Sequence, residues 1–484
     1  MAEPRPAPHV GFRRPTLDDF SRAYAGGRTP TEIAEACLAA VRSSDAQHPP
    51  LRAVITITDD DALAAAEAST ARWRAGQPLS PLDGVPVVVK DNLDMAGVPT
   101  TNGTCLDFPV PGDSRVVARL RAAGAVVVGK ANLHEIGAGT TGINPHHGTP
   151  RNPYDPGRWC GGSSSGSACA VGAGLVPLAI GTDAGGSVRA PAAFCGAVGF
   201  KPTFGRVSRL GLSIVCDTID HIGPIATTCA DAARALVAIA GIESDDEETW
   251  DQPQLLGYEA AVAALERQPD RLRIGIDRAL LEHHTVDADV AARIEACAEA
   301  LADAGADLVD VALPDPDHAR MVGLVILGAE GPSGHEDRLE RHRAELGADL
   351  RVLLEIGAHF SARDYLKAQR LRRRIRNAWR AVLSEVDYVL SPSAGIPAGP
   401  IRDDALRTGE LDQLTSERAI SQTFPSNLTG YPAVSVPYGD VGGLPVGAQI
   451  IGRPWDDLGV LGVGRVLETL APAPTRPARW FDIL

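Results

Sequence analysis

Apolar residues recur along this chain in two alternating rhythms. In TPTEIAEACLAAVRSSD (29–45) they fall at helical spacing behind a Thr-Pro-Thr start, a helix-capping signal with proline in the first turn. SRVVARLRAAGAVVVGKANL (114–133) reads as a helix, a glycine turn and a buried strand. The same succession is legible in TVDADVAARIEACAEALADAGADLVDVALP (285–314) and RIRNAWRAVLSEVDYVLSPSAG (374–395). Helix, short turn and β-branched run in succession predict an α/β fold, a single large α/β/α sandwich around a mixed, mostly parallel twisted β-sheet. No internal repeat and no long Pro/Gly/Ser linker divides the chain, so 1–484 is expected to be one domain. Within it, 1–75 reads as a mainly helical N-terminal part and 76–230 as the core carrying the candidate chemistry. The segment 310–370 reads as more variable and substrate-facing.

One run is strongly basic, KAQRLRRRIRNAWR (367–380). Leu371, Ile375 and Trp379 recur there every four residues, which predicts an amphipathic helix with a solvated basic face. The whole chain is acidic, with 46 Lys and Arg against 61 Asp and Glu and a net charge of −15. That balance argues against nucleic acid or an anionic membrane surface as a partner. No apolar run approaches the ~20 residues needed to span a bilayer. The opening MAEPRPAPHVGFRRP lacks the apolar segment of a secretory signal. Eight cysteines (37, 105, 160, 169, 195, 216, 229, 297) are scattered without a CxxC pair or zinc-like spacing, mostly among Ala, Gly and Val. The expectation is a reduced, cytoplasmic protein with no metal and no cofactor.

The candidate chemistry lies in two serine clusters, WCGGSSSGSACA (159–170) and GTDAGGSVRAP (181–191). Gly161-x-x-x-x-Gly166 fits half of a phosphate-binding loop, but Ser167 stands where the lysine is required. Gly162-Ser163-Ser164-Ser165-Gly166 matches a nucleophile elbow centred on Ser164. The preceding TPRNPYDPGRWC is too rich in Pro to be the strand an elbow needs, and none of the twelve histidines is marked as its partner. A third reading joins both clusters to a lysine. Ser187 follows an apolar strand and the turn Ala184-Gly185-Gly186, whose N–H groups suit an oxyanion hole. Lys90 ends the run Val87-Val88-Val89, where desolvation lowers an ammonium's pKa toward that of a usable base.

GVPVVVKDN, GGSSSGSA and GTDAGGSVRAPAAFCGAVGFKPT resemble, in order and spacing, the amidase signature family. TPRNPYD, NLTGYPAVSVP and GLPVGAQIIGRP extend the similarity over most of the chain, and the family's 24-residue interval between catalytic serines is met by Ser163 and Ser187. The resemblance implies the amidase signature fold, with Ser187 as nucleophile, Ser163 as bridging serine after a cis Gly162–Ser163 peptide, and Lys90 as base. It also implies an oxyanion hole at Ala184, Gly185, Gly186 and Ser187. Asp183 and Arg189 would fix the loop, and Cys195 would be a small packed residue. In EIGAGTTGINPHHG (135–148), Ala138, Gly139 and Thr140 would line the acyl pocket. His134, His146 and His147 would be substrate contacts or exposed loop residues.

The implied reaction is hydrolysis of a small amide, or of an amide-like carbamate, urea or hydrazide, without a cofactor; a homodimer is an analogy from the family. One alternative is the glutaminase A subunit of a tRNA-dependent amidotransferase. The acid such subunits carry some five residues before their P-x-N-L-x-G-x-P segment is replaced here by Ile420, the nearest acid being Glu417. Ala138 stands where those subunits carry Met, which implies a less filled pocket. A non-catalytic scaffold on the same fold would need a lost catalytic residue, and all three are present.

Overall fold

Eleven runs of aliphatic and β-branched residues line up as the strands of one sheet. They are β1 (Val54–Ile57), β2 (Pro86–Lys90), β3 (Val126–Ala131), β4 (Leu178–Asp183), β5 (Val198–Lys201), β6 (His221–Ala226), β7 (Arg273–Ile276), β8 (Asp307–Asp310), β9 (Tyr388–Pro392), β10 (Ala433–Val441) and β11 (Leu444–Ile451). Their order is β1-β3-β2-β4-β6-β5-β10-β11-β9-β7-β8. This computed structural model describes residues 12–266, 271–331, 336–409 and 412–484. Residues 1–11 of the stretch read above as lacking a secretory signal lie outside them. No helix among the described residues is long and apolar enough to cross a membrane.

The sheet is mixed, but parallel pairing does not predominate as expected. Only β2–β3, β2–β4, β7–β8 and β7–β9 are parallel, while the other neighbours run antiparallel. The physical reason is connectivity. The helix-turn-strand units at 114–133, 285–314 and 374–395 supply the crossovers that parallel neighbours require. In the middle of the sheet β6 inserts antiparallel between β4 and β5, and β10 and β11 are joined directly through Gly442-Gly443, which makes them a hairpin.

Among the described residues of the N-terminal part are the helices Leu17–Ala25, Pro30–Ala46 and Asp59–Arg74, with β1 between the last two at the sheet's edge. The predicted start at Thr29 is a capping box: its hydroxyl accepts from the Glu32 N–H and the Glu32 carboxylate accepts from the Thr29 N–H. A second apolar cluster, containing Trp159, Phe194, Ile326, Trp379 and Phe424, joins the helices Pro316–Glu330 and Ala362–Glu385 to the sheet. On the latter helix Ile375 and Trp379 are buried and Leu371 is half-buried, as the apolar stripe predicts. Its basic face is not wholly solvated. Arg372 turns inward and donates to the carbonyls of Leu428 (2.7 Å) and Thr218 (2.8 Å). All eight cysteines are free and all but Cys105 are buried.

Candidate active site

Lys90 ends β2 where the parallel neighbour β4 runs on into the second serine cluster. Its side chain is buried, and Nζ is 2.7 Å from both Ser163 Oγ and Thr182 Oγ1. Thr182 Oγ1 also accepts from Asn92 Nδ2 (3.1 Å). Burial pulls the Lys90 ammonium down to about 7, against the opposing pull of the Asp220 and Asp183 carboxylates. Asp220 is itself raised by burial, and its Oδ2 accepts from the Val215 N–H at 3.2 Å. The lysine is thus poised to change charge near neutrality.

Ser163 follows a cis Gly162–Ser163 peptide. Gly162 donates its N–H to Thr140 O (2.7 Å), and a Cβ on it would stand 2.7 Å from Gly139 O and 2.8 Å from Gly142 N. No other residue fits that approach. The neighbouring Ser164 is engaged elsewhere, since its hydroxyl accepts from the Thr182 N–H and donates to the Thr182 carbonyl, both at 3.2 Å. Ser167 similarly donates to Ile180 O (3.1 Å). The middle serine of the triplet is therefore a rivet between the cluster and β4.

The two clusters meet where the Ser164 N–H donates to Ser187 O (3.2 Å). Ser187 is half-buried, and the short helix Arg189–Phe194 follows it. Asp183 organises the turn by accepting from the N–H groups of Gly186 (2.7 Å) and Val188 (3.1 Å). Gly186 is consequently committed to the loop, in contrast to its expected part in an oxyanion hole. The N–H groups of Ala184, Gly185 and Ser187 make no hydrogen bond among the described residues. Gly186 also has φ +133°, and a Cβ there would meet Thr423 Oγ1 at 2.1 Å. Both its conformation and its surroundings demand glycine.

Asp183 and Arg189 form a fully buried pair at 2.9 Å. Burial alone would raise the Asp183 carboxyl, but Arg189 overrides it and holds the group well below the usual carboxylate range. Arg189 reaches further, to Gln449 Oε1, Ser426 Oγ and Asn427 Oδ1, each at 2.6 Å. Asn427 in turn donates to Asp183 O at 2.7 Å. The Ser187 loop is thus held by side chains from near the C-terminus, more than 230 positions along the chain. Cys195 is buried and packed, its Sγ 3.7 Å from Cys160 O. No hydrogen bond joins Ser163 Oγ to Ser187 Oγ among the described residues.

Ser187, Ala184 and Gly185 open onto a cavity of about 380 Å³, which Ala138, Gly139 and Thr140 also line. Its far walls come from the helices Pro316–Glu330 and Ala348–Ala358, through Leu324, Val325, Leu353 and Ile356. Met321, Val352 and Ile356 at its edge are about half exposed (49%, 49% and 51%). Two polar pairs interrupt this apolar lining: His134 Nε2 with Asp349 Oδ2, and Arg320 with Glu417, both at 3.0 Å. Ile420 lines the cavity as well. His146 and His147 do not. They brace the loop through Glu135 Oε1 (2.7 Å) and Thr104 O (2.8 Å).

Thr182, Asp220, Asn427 and Gly137 also belong to this site; all but Asp220 fall inside the motifs quoted above, yet none is marked there as a site residue. A Cβ on Gly137 would lie 3.7 Å from Ser163 Oγ and 3.9 Å from Lys90 Nζ, so this glycine roofs the pair directly. Threonine beside the second cluster and the NLTG segment are visible in sequence, but nothing in local spacing ties them to Lys90.

The Amidase family profile matches residues 33–461. A fatty acid amide hydrolase of Arabidopsis thaliana is 37% identical over 489 residues, covering 99% of this chain and 80% of that protein. The A subunit of the glutamyl-tRNA(Gln) amidotransferase of Chloroflexus aurantiacus is also 37% identical, over 94% of this chain and 96% of its own. Among solved structures, the peptide amidase of Stenotrophomonas maltophilia superposes with a TM-score of 0.84 at 32% identity, covering 96% of this chain and 98% of its own. Carrying its two serine clusters and buried lysine in one site, the chain belongs to the amidase signature family and is an amide-hydrolysing enzyme.

Proposed function

We propose that Ser187 attacks the amide carbonyl, Ser163 relays the proton and Lys90 is the base. The observation that carries this reading is the 2.7 Å contact between buried Lys90 Nζ and Ser163 Oγ beneath a cavity onto which Ser187 opens. Neutral Lys90 takes the Ser163 proton as Ser163 takes that of Ser187, whose oxygen bonds to the carbonyl carbon. The Ala184, Gly185 and Ser187 N–H groups hold the oxyanion. Ser163 then returns its proton to the leaving nitrogen as the C–N bond breaks, Lys90 reprotonates Ser163, and water resolves the acyl-enzyme. The Ser163–Ser187 link closes in the substrate complex, since catalytic hydrogen bonds tighten there.

The acyl group in this reading is extended and apolar. Leu324, Val325 and Leu353 would bury it, and the half-exposed Met321, Val352 and Ile356 would meet it at the edge. This makes 310–370 the substrate-facing segment and suits the likeness to fatty acid amide hydrolases. A second reading, glutamine hydrolysis within an amidotransferase, draws on Arg320 and Glu417, a matched pair for the two charges of an amino acid. We favour the first because that pair satisfies itself, as does His134–Asp349, and the helix face between them is mainly apolar. A cytoplasmic setting fits the eight free cysteines.

The test is a panel of long-chain acyl amides, aryl amides and glutamine, run with wild-type enzyme and Ser187→Ala. Turnover of apolar amides that disappears in folded Ser187→Ala, together with fluorophosphonate labelling lost in the same variant, is the expected result. Full activity in that variant removes Ser187 as nucleophile, and preference for glutamine selects the second reading.

A further inference from the structure

Beside the outer wall of the cavity, three groups that the amidase chemistry does not use converge. His283 and His284 follow the helix Arg278–Leu281, and Asp317 sits in the first turn of the helix Pro316–Glu330. Candidate ligand atoms of the three lie within 4.8 Å of one another. His283 Nε2 is 3.6 Å from Asp317 Oδ2, and His284 Nε2 is 3.7 Å from Glu417 Oε1. Both separations are long for a hydrogen bond. They are close to the ~3.3–3.5 Å edge of a tetrahedron whose ligands stand ~2.0–2.1 Å from a central zinc ion.

The supporting contacts suit a metal as well. His283 Nδ1 is engaged by Thr285, lying 2.8 Å from its Oγ1 and 3.4 Å from its N–H, and Nε2 faces Asp317. Thr285 is buried and also receives a hydrogen bond from Gln422 Nε2 (3.2 Å), so the histidine-bearing loop is fastened to the body of the protein. Asp317 Oδ1 is shielded from solvent and has no hydrogen-bond partner among the described residues. Two imidazoles and a carboxylate form a ligand set for zinc or a similar divalent transition ion, rather than for calcium or magnesium.

We propose that His283, His284 and Asp317 bind such an ion, and that the bound ion lowers amidase activity through Glu417. Glu417 lies between the two sites: it faces His284 on one side and pairs with Arg320 in the cavity wall on the other. A cation at the His-His-Asp site attracts that carboxylate as a further ligand and leaves Arg320 uncompensated in an apolar pocket. No zinc-like spacing marks the site along the chain, because the carboxylate comes from another helix, 33 residues beyond His284.

The experiment is titration of tag-free, metal-stripped full-length protein with Co²⁺ and then Zn²⁺. One equivalent of Co²⁺ should give the intense visible spectrum of a tetrahedral site, displaced by Zn²⁺. His283→Ala and the exposed His284→Ala should each weaken binding tenfold or more. In metal-free buffer both variants should match wild-type activity, and zinc should inhibit wild type at least twofold more than either variant. Absence of the tetrahedral spectrum, or equal binding by wild type and both variants, overturns the site. Specific zinc binding that leaves wild-type activity unchanged overturns the coupling through Glu417.

Discussion

The pH dependence of catalysis follows from where Lys90 sits. In the proposed mechanism only neutral Lys90 works, and burial has drawn its pKa down to about 7. Roughly nine-tenths of the enzyme is then competent at pH 8 and about a tenth at pH 6; below that Asp220, itself raised by burial, protonates as well and draws the Lys90 pKa further down. On a non-ionising amide, kcat/KM should therefore fall about tenfold from pH 8 to pH 6 and more gradually below it, in a limb that reports the free enzyme. The sharper perturbation is Asp220→Asn, which keeps an oxygen acceptor for the Val215 N–H but removes a charge that favours the ammonium. Losing the carboxylate lowers the Lys90 pKa further and moves the acid limb to lower pH. The variant should retain a larger fraction of its pH 8 activity at pH 6 than wild type does. The assay is kcat/KM at half-unit pH steps, with circular dichroism confirming the fold throughout. A profile flat from pH 5 to 8, or an Asp220→Asn limb unmoved or shifted toward alkali, refutes the reasoning.

Ser164→Ala should cost about 1–3 kcal/mol of stability by stranding the buried Thr182 N–H, yet leave kcat within a few-fold. Ser163→Ala should do the reverse, losing about 10²-fold or more in kcat, the scale of general acid–base assistance. Urea denaturation alongside steady-state kinetics separates the two. Arg189→Met leaves Asp183 buried without its counter-charge and should destabilise the fold by about 3–5 kcal/mol, read as a lower urea midpoint. In a series of n-acyl amides, each added methylene should raise kcat/KM about fourfold, equivalent to ~0.8 kcal/mol per buried CH₂, until the cavity is filled. Indifference to chain length would count against an apolar acyl pocket.

Local chemistry makes much of this protein readable from its sequence. The helix at Thr29 starts where its capping residues say it does, and the run Val87–Val89 forms a buried strand, as three adjacent β-branched residues favour. Lys90, Ser163 and Ser187 are singled out by motifs that resemble a known family in order and spacing, whereas the local serine pattern by itself centres on Ser164. The direction of the central strands is less legible, since apolar alternation carries no information on which neighbour a strand meets or in which sense. Gly186 departs from expectation for a related reason. A glycine's freedom is visible in sequence, but the carboxylate that claims its N–H is not.

The company these residues keep emerges only once the chain has folded. Asp220 opposes the desolvation of Lys90 from another segment, Asn427 and Gln449 clamp the Ser187 loop through Arg189 from far along the chain, and Ser164 becomes structural while its neighbour faces the lysine. Residue order alone settles which side chains can do chemistry, because reactivity begins with residue type and local backbone. The fold settles which of them do so together, because burial and distance depend on contacts between residues far apart in the chain.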